Sequence, residues 1–217
     1  MIDFSAARHN MVENQIRTNK VRDPALIGAL SALPREVFVP DRARSLAYVD
    51  EDLAIGAGRY LMEPMVLARL LQSAMPRPED VALVVGSGSG YSVAVLARLS
   101  TTVVAVEENA DLVTRSAETL TRLEIDNAVV IEGPLTAGYA KHAPYDVILI
   151  DGAVETVPDA LLDQLAEGGR LVTVQHERGV GRGVMYMRRG GVHSRRIIFD
   201  AATPLLPGFS RKVGFEF

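Results

Sequence analysis

Three glycines at alternate positions, Gly86, Gly88 and Gly90, stand directly behind the apolar run Val81-Ala82-Leu83-Val84-Val85. Glycine has no Cβ, so this spacing lets the chain turn sharply and lets a ligand approach the backbone closely. The helix expected next, over 91–99, aims free N–H groups and the positive end of its dipole at the same place. The third glycine follows the second by two positions, which departs from the Gly-x-Gly-x-x-Gly spacing of dinucleotide sites. This compact form suits a ligand without a pyrophosphate, and Ser87 and Ser89 add hydroxyls to it. Glu107 ends the next apolar run, Val103-Val104-Ala105-Val106. A carboxylate there can accept hydrogens from both hydroxyls of a ribose. Glu108 offers a second acid beside it, and the alternative for both is a solvated cap on the following helix. Asp151 closes Val147-Ile148-Leu149-Ile150, at the strand edge where open α/β sheets bind ligands. A helix-capping role is equally open to it.

The elements that must hold these residues alternate. Apolar runs too short for helices, at 81–85, 103–106, 128–131, 147–150 and 170–174, read as strands buried on both faces. Helical stretches fall between them at 91–99, 110–123 and 161–165, the last capped by Gly168-Gly169. The alternation implies a doubly wound, mostly parallel sheet. Two runs at 184–187 and 192–199 flank Arg188-Arg189-Gly190-Gly191, a hairpin turn. The first 75 residues read differently, as a helical extension with a loop. A segment over 5–18 carries Met11, Val12 and Ile16 among charged residues, as an amphipathic helix does. Asp23 and Pro24 form an N-cap and first-turn pair for 25–33, and Pro34 stops that helix. Residues 35–60 read as loop, and Pro64 opens another helix. One domain accounts for the whole chain, with 1–75 as extension and substrate loop and 76–217 as the α/β core.

Composition narrows the function classes. A net charge of -4 over 217 residues argues against an electrostatic nucleic-acid partner. Without cysteine, thiolate catalysis and disulfides are excluded, and the four histidines show no ligand spacing, so no metal is expected. No run approaches the length of a membrane span, and Met1-Ile2-Asp3-Phe4 lacks a signal signature. The expectation is a soluble, cytoplasmic protein without a membrane or nucleic-acid partner; the oligomeric state stays open.

Further stretches carry a resemblance: Met11-Val12-Glu13-Asn14-Gln15-Ile16, Pro34-Arg35-Glu36-Val37-Phe38-Val39-Pro40, Ala47-Tyr48-Val49-Asp50 and Gly86-Ser87-Gly88-Ser89-Gly90-Tyr91. Ala143-Pro144-Tyr145-Asp146 and 164–172 continue it. To about residue 175 the chain resembles the protein-L-isoaspartate O-methyltransferase family, and the antiparallel hairpin at the end of the sheet is typical of methyltransferases. The resemblance implies a class I, Rossmann-like domain using S-adenosylmethionine and leaving S-adenosylhomocysteine. It implies as substrate the α-carboxylate of L-isoaspartyl residues in damaged proteins or peptides. Such a carboxylate is already nucleophilic, so catalysis is mostly positioning and desolvation. The alternative is a divergent homologue that is catalytically weak or inactive, a binding module, or a methyltransferase for another substrate.

By this resemblance Gly86, Ser87, Gly88, Ser89 and Gly90 curl around the methionine part of the cofactor and Glu107 holds its ribose. Gly133, Pro134 and Leu135 face the adenine, with Glu108 and Asp151 as further contacts. The family loop Gly-Gln-Thr-Ile-Ser-Gln-Pro is here Gly58-Arg59-Tyr60-Leu61-Met62-Glu63-Pro64. Arg59, Tyr60, Leu61, Met62 and Glu63 then cover the substrate. Met62 takes the place of a hydroxyl beside the reacting carboxylate, and no side chain is assigned as acid or base. Glu63 adds a negative charge that Arg59 is positioned to offset. Two cofactor positions also depart: Val84 where an acid is usual, and Pro134 where an aspartate faces the adenine.

Overall fold

The computed structural model describes residues 2–210. Helix α1 (Phe4–Met11) begins where Asp3 Oδ1 accepts from Ala6 N at 3.0 Å. It loosens into a π turn over Val12–Ile16 and a 3-10 turn over Arg17–Asn19, and Lys20, in the left-handed region, ends it. Helix α2 (Pro24–Ala32) has the expected cap, Leu26 N to Asp23 Oδ1 at 2.8 Å.

The stretch expected as loop is more ordered than its glycines suggest. It holds two 3-10 turns, Arg35–Phe38 and Asp41–Leu46, and a small hairpin of β1 (Leu53–Gly56) and β2 (Arg59–Leu61). Alternation explains the hairpin: Leu53, Ile55, Arg59 and Leu61 face inward while Ala54 and Tyr60 face out. Helix α3 (Pro64–Ala74) follows.

The main sheet has β3 (Val81–Val85), β4 (Thr102–Glu107), β5 (Ala128–Glu132), β6 (Tyr145–Val154), β7 (Leu165–Glu177), β8 (Val180–Arg189) and β9 (Val192–Asp200). Their order is β5-β4-β3-β6-β7-β8-β9, parallel from β5 to β7 and antiparallel beyond. Helices α4 (Tyr91–Ala97), α5 (Ala110–Arg122) and α6 (Asp159–Leu162) make the crossovers. Because β3 pairs with both β4 and β6, the strand order reverses around it, and its carboxyl end is the switch point where such sheets bind ligands. Gly190 and Gly191, at φ 58° and 74°, make the expected β8–β9 turn.

One expectation fails in detail. Helix α6 ends at Leu162, and Gly168-Gly169 do not cap it but lie within β7. A Cβ on Gly169 would sit 2.8 Å from Ala166 O and 2.9 Å from Tyr145 O. The glycines therefore make an irregularity that lets β7 pair with β6 on both sides of it, Tyr145 with Leu165 and Val147 with Arg170.

Successive strand residues feed opposite faces. Ala82 and Val84 join the core shared with α1, α2 and α3, and Leu83 and Val85 join the one on the far side. The N-terminal helices thus share a core with the sheet. Arg170 clips them to it, donating to Ala74 O, Met75 O and Asp80 Oδ2.

Candidate active site

Strand β3 ends in the glycine loop, and Gly86, Gly88 and Gly90 sit at φ 77°, 53° and 93°, conformations that L side chains rarely adopt. All five loop residues are buried. Glu107, at the end of β4, is fully buried beside them. Its Oε1 accepts from Glu108 N at 3.0 Å and Asn109 N at 3.1 Å. Its Oε2 accepts from Gly88 N at 2.9 Å and from Arg59 Nη2 at 2.8 Å. Four donors therefore saturate the carboxylate, and one of them is a cation from β2 that is itself only 2% exposed.

The expectation places Arg59 over the substrate, offsetting Glu63. In the structure it pairs with Glu107 beside the glycine loop, because the alternation of β2 points it inward. A Cβ on Gly86 would meet Arg59 Nη2 at 2.5 Å and the Leu206 methyls at 3.1 and 3.2 Å. One on Gly88 would meet Ile55 Cδ1 at 2.8 Å, and one on Gly90 would meet Ser116 Oγ at 2.2 Å. The room left by the missing Cβ atoms is taken by the chain's own side chains. The gap bounded by Arg59, Met62, Asp151 and Leu206 has a free volume of about 10 Å3, at most a single water. With these side chains so placed, that gap is far smaller than small-molecule sites, which run to roughly 300 Å3 and more.

Asp151, at the carboxyl edge of β6, accepts from Ser92 Oγ at 2.5 Å through Oδ2, while Oδ1 finds no partner among the described residues. Burial pushes its carboxyl up to about 6, against the pull of Ser92, Arg59 and Arg35. Ser87 Oγ, Ser89 Oγ, Tyr91 OH, and Arg59 Nε and Nη1 are likewise buried without a protein partner among the described residues.

On the substrate side, Met62 is buried in the core, and its carbonyl accepts from Arg35 Nη2 at 2.5 Å. It lines the small gap beside Asp151, but its side chain packs with apolar neighbours. Arg35 is fully buried, donates also to Ala47 O at 2.7 Å, and lies 4.8 Å from the Tyr91 ring centre. Its burial lowers its pKa. Glu63 is half-buried and its carboxyl is pushed up to about 7, first by burial and then by Asp50 and Asp52. Asp52, raised by burial, accepts from Glu63 N at 3.0 Å and Thr203 Oγ1 at 2.9 Å. Tyr60 is exposed and Leu61 buried. Gly133 N donates to the Glu107 backbone carbonyl at 3.0 Å, which sets 133–135 beside the end of β4; Pro134 is exposed, Leu135 buried. Glu108 is exposed and contributes its backbone N–H alone to these contacts.

The fold thus gathers Arg59, the glycine loop, Glu107 and Asp151 at one strand edge, while Glu63 sits apart with Asp50 and Asp52. Sequence reasoning missed Ile55, Ser92, Ser116 and Leu206. Ile55 was findable from its alternation with Leu53. Leu206 was not: it returns from the chain's end to pair along β6, donating from its N to Ala153 O at 2.8 Å, a contact without local signal.

Solved structures share this architecture. A protein-L-isoaspartate O-methyltransferase superposes with a TM-score of 0.81, at 22% identity, over 93% of this chain and 66% of that one. A beta-aspartate methyltransferase from Plasmodium falciparum, in complex with S-adenosyl-L-homocysteine, gives 0.78 at 22%, over 94% and 97%. The sheet is that of class I methyltransferases. Among curated proteins, the protein-L-isoaspartate O-methyltransferase of Synechococcus sp. (strain JA-2-3B'a(2-13)) is 41% identical over 169 residues, 78% of this chain and 69% of that protein. That of Methanoculleus marisnigri is 39% identical over 165 residues, 76% and 75%. The family model for protein-L-isoaspartate(D-aspartate) O-methyltransferase matches residues 6–191, and the chain belongs to that family.

Proposed function

We propose that the chain is an S-adenosylmethionine-dependent O-methyltransferase whose substrate is the α-carboxylate of L-isoaspartyl residues in damaged proteins. The observation that carries this is the family match over 6–191, with relatives of that name near 40% identity. In that family S-adenosylmethionine supplies the methyl group. Glu107 and the glycine loop are the residues we assign to it, with Gly133–Leu135 beside them. The chain's own share of the work is positioning: a carboxylate needs no general base at neutral pH, so a dry site that fixes its direction suffices. Work on damaged proteins in the cytoplasm belongs to the same reading, and no helix among the described residues is long and apolar enough to cross a membrane.

A second reading, a family member that keeps the fold without methyl transfer, is favoured by one observation. Arg59 holds the Glu107 carboxylate and blocks the face of Gly86. Labelled methyl transfer to an isoaspartyl peptide, with its aspartyl twin as control, separates the two. Turnover on the isoaspartyl peptide alone supports the first; no incorporation by a folded protein at millimolar cofactor supports the second.

A further inference from the structure

The Arg59–Glu107 pair is buried, yet it is poorly completed. Glu107 keeps three backbone donors, from Gly88, Glu108 and Asn109, without the arginine. Arg59, in contrast, spends one nitrogen on the pair and leaves Nε and Nη1 with no acceptor among the described residues. Buried donors without partners favour release into water. Arg59 is carried by a small hairpin outside the main sheet. Strands β1 and β2 pair only with each other, outside the seven-stranded sheet. Their turn is Gly56-Ala57-Gly58, all exposed and at positive φ, and a Cβ on either glycine would meet nothing within 4 Å. Leu53, Ile55 and Leu61 root the hairpin in the core, so motion concentrates in its tip.

We propose that Arg59 is a displaceable stand-in for the ligand at Glu107: the hairpin tip, 56–60, must lift it out of the glycine loop before a nucleoside can reach the carboxylate. The site is self-closed, with the arginine's positive charge where the nucleoside's hydroxyls would donate. Leu206, held by its backbone against Ala153, forms the fixed wall opposite. This rests on the methyltransferase reading above, and it makes cofactor affinity a property of the hairpin as much as of the loop. A ligand that binds a minor open state shows an apparent affinity reduced by the fraction open.

The test is calorimetric titration of the wild type and Arg59→Gln with S-adenosylhomocysteine, each first shown to unfold cooperatively. The expected result is binding about tenfold or more tighter in Arg59→Gln, because the open fraction rises. Equal, measurable affinities overturn the self-closed site and leave the methyltransferase reading standing. Absence of binding in both folded proteins overturns that reading and the proposal with it. Should Arg59→Gln not fold, amide hydrogen exchange of the wild type decides. Faster exchange across 54–60 on adding S-adenosylhomocysteine supports the lifted tip, and an unchanged pattern at saturation overturns it.

Discussion

Arg59 Nη2 lies 2.8 Å from Glu107 Oε2, and both side chains are sealed from water. Residues far apart in sequence are thereby tied across the mouth of the sheet, and each is costly to leave alone. Glu107→Ala strands a buried guanidinium and frees three backbone N–H groups at once. The expected loss is about 3–5 kcal/mol of folding stability, read from urea unfolding. Glu107→Gln keeps an acceptor and should cost less. A loss under about 1 kcal/mol in the alanine variant would mean that the pair does not form in solution.

The position of Arg59 predicts a coupling with Gly86. In the wild type, Gly86→Ala meets both a φ of 77° and Arg59 Nη2 at 2.5 Å from the new Cβ. In an Arg59→Gln background the backbone strain and the Leu206 methyls at 3.1 and 3.2 Å remain, and the guanidinium does not. A double-mutant cycle should therefore show Gly86→Ala costing less in the second background, by about 0.5 kcal/mol or more. Additive costs would place the guanidinium elsewhere.

Much of this arrangement was legible from local pattern. The strands feeding the site are short apolar runs ended by glycine or acid, and the Asp23 cap and the Gly190-Gly191 turn have local chemistry. Glu107 was legible as a carboxylate at the carboxyl edge of the sheet from its place after an apolar run. Its partner was not, because Arg59 falls in a stretch read as loop, and only the β2 alternation turns it inward toward Glu107. Leu206 was invisible for another reason: its contact with Gly86 and Gly152 depends on a chain end folding back across the sheet. Gly168-Gly169 misled because a glycine pair after an apolar helical stretch satisfies the same local rule as a helix cap.

Asp151 gives a pH signature. Its carboxyl sits at about 6 in the folded protein against an ordinary 3.8, chiefly through burial. Between those values the folded chain holds a proton that the unfolded chain has released, so this group's contribution to stability falls as pH rises through that window. Above about 6 the whole penalty is present. Asp151→Asn removes it and keeps an acceptor for Ser92. The variant should match the wild type near pH 4 and exceed it at pH 8 by up to about 3 kcal/mol. Thermal unfolding across that range is the measurement, and parallel curves would show that Asp151 is not buried as a charge.

Glu63 should set the pH dependence of substrate capture. Its carboxyl is pushed up to about 7 by burial, Asp50 and Asp52, so it loses its proton near neutrality. Above that point it adds negative charge to the acidic cluster with Asp50 and Asp52, against a substrate that is itself a carboxylate. Below it, the repulsion relaxes while the isoaspartyl group stays ionised. KM for an isoaspartyl peptide should therefore rise between pH 6 and 8 with little change in kcat. Glu63→Gln should flatten that profile and lower KM at pH 8 by about fivefold, the equivalent of roughly 1 kcal/mol of screened repulsion. The same substitution should leave the KM of an uncharged acceptor unmoved, which separates a charge effect from a distorted loop. If wild type and variant share one pH profile, Glu63 does not face the arriving carboxylate, and the acidic cluster serves the packing of 50–63 instead.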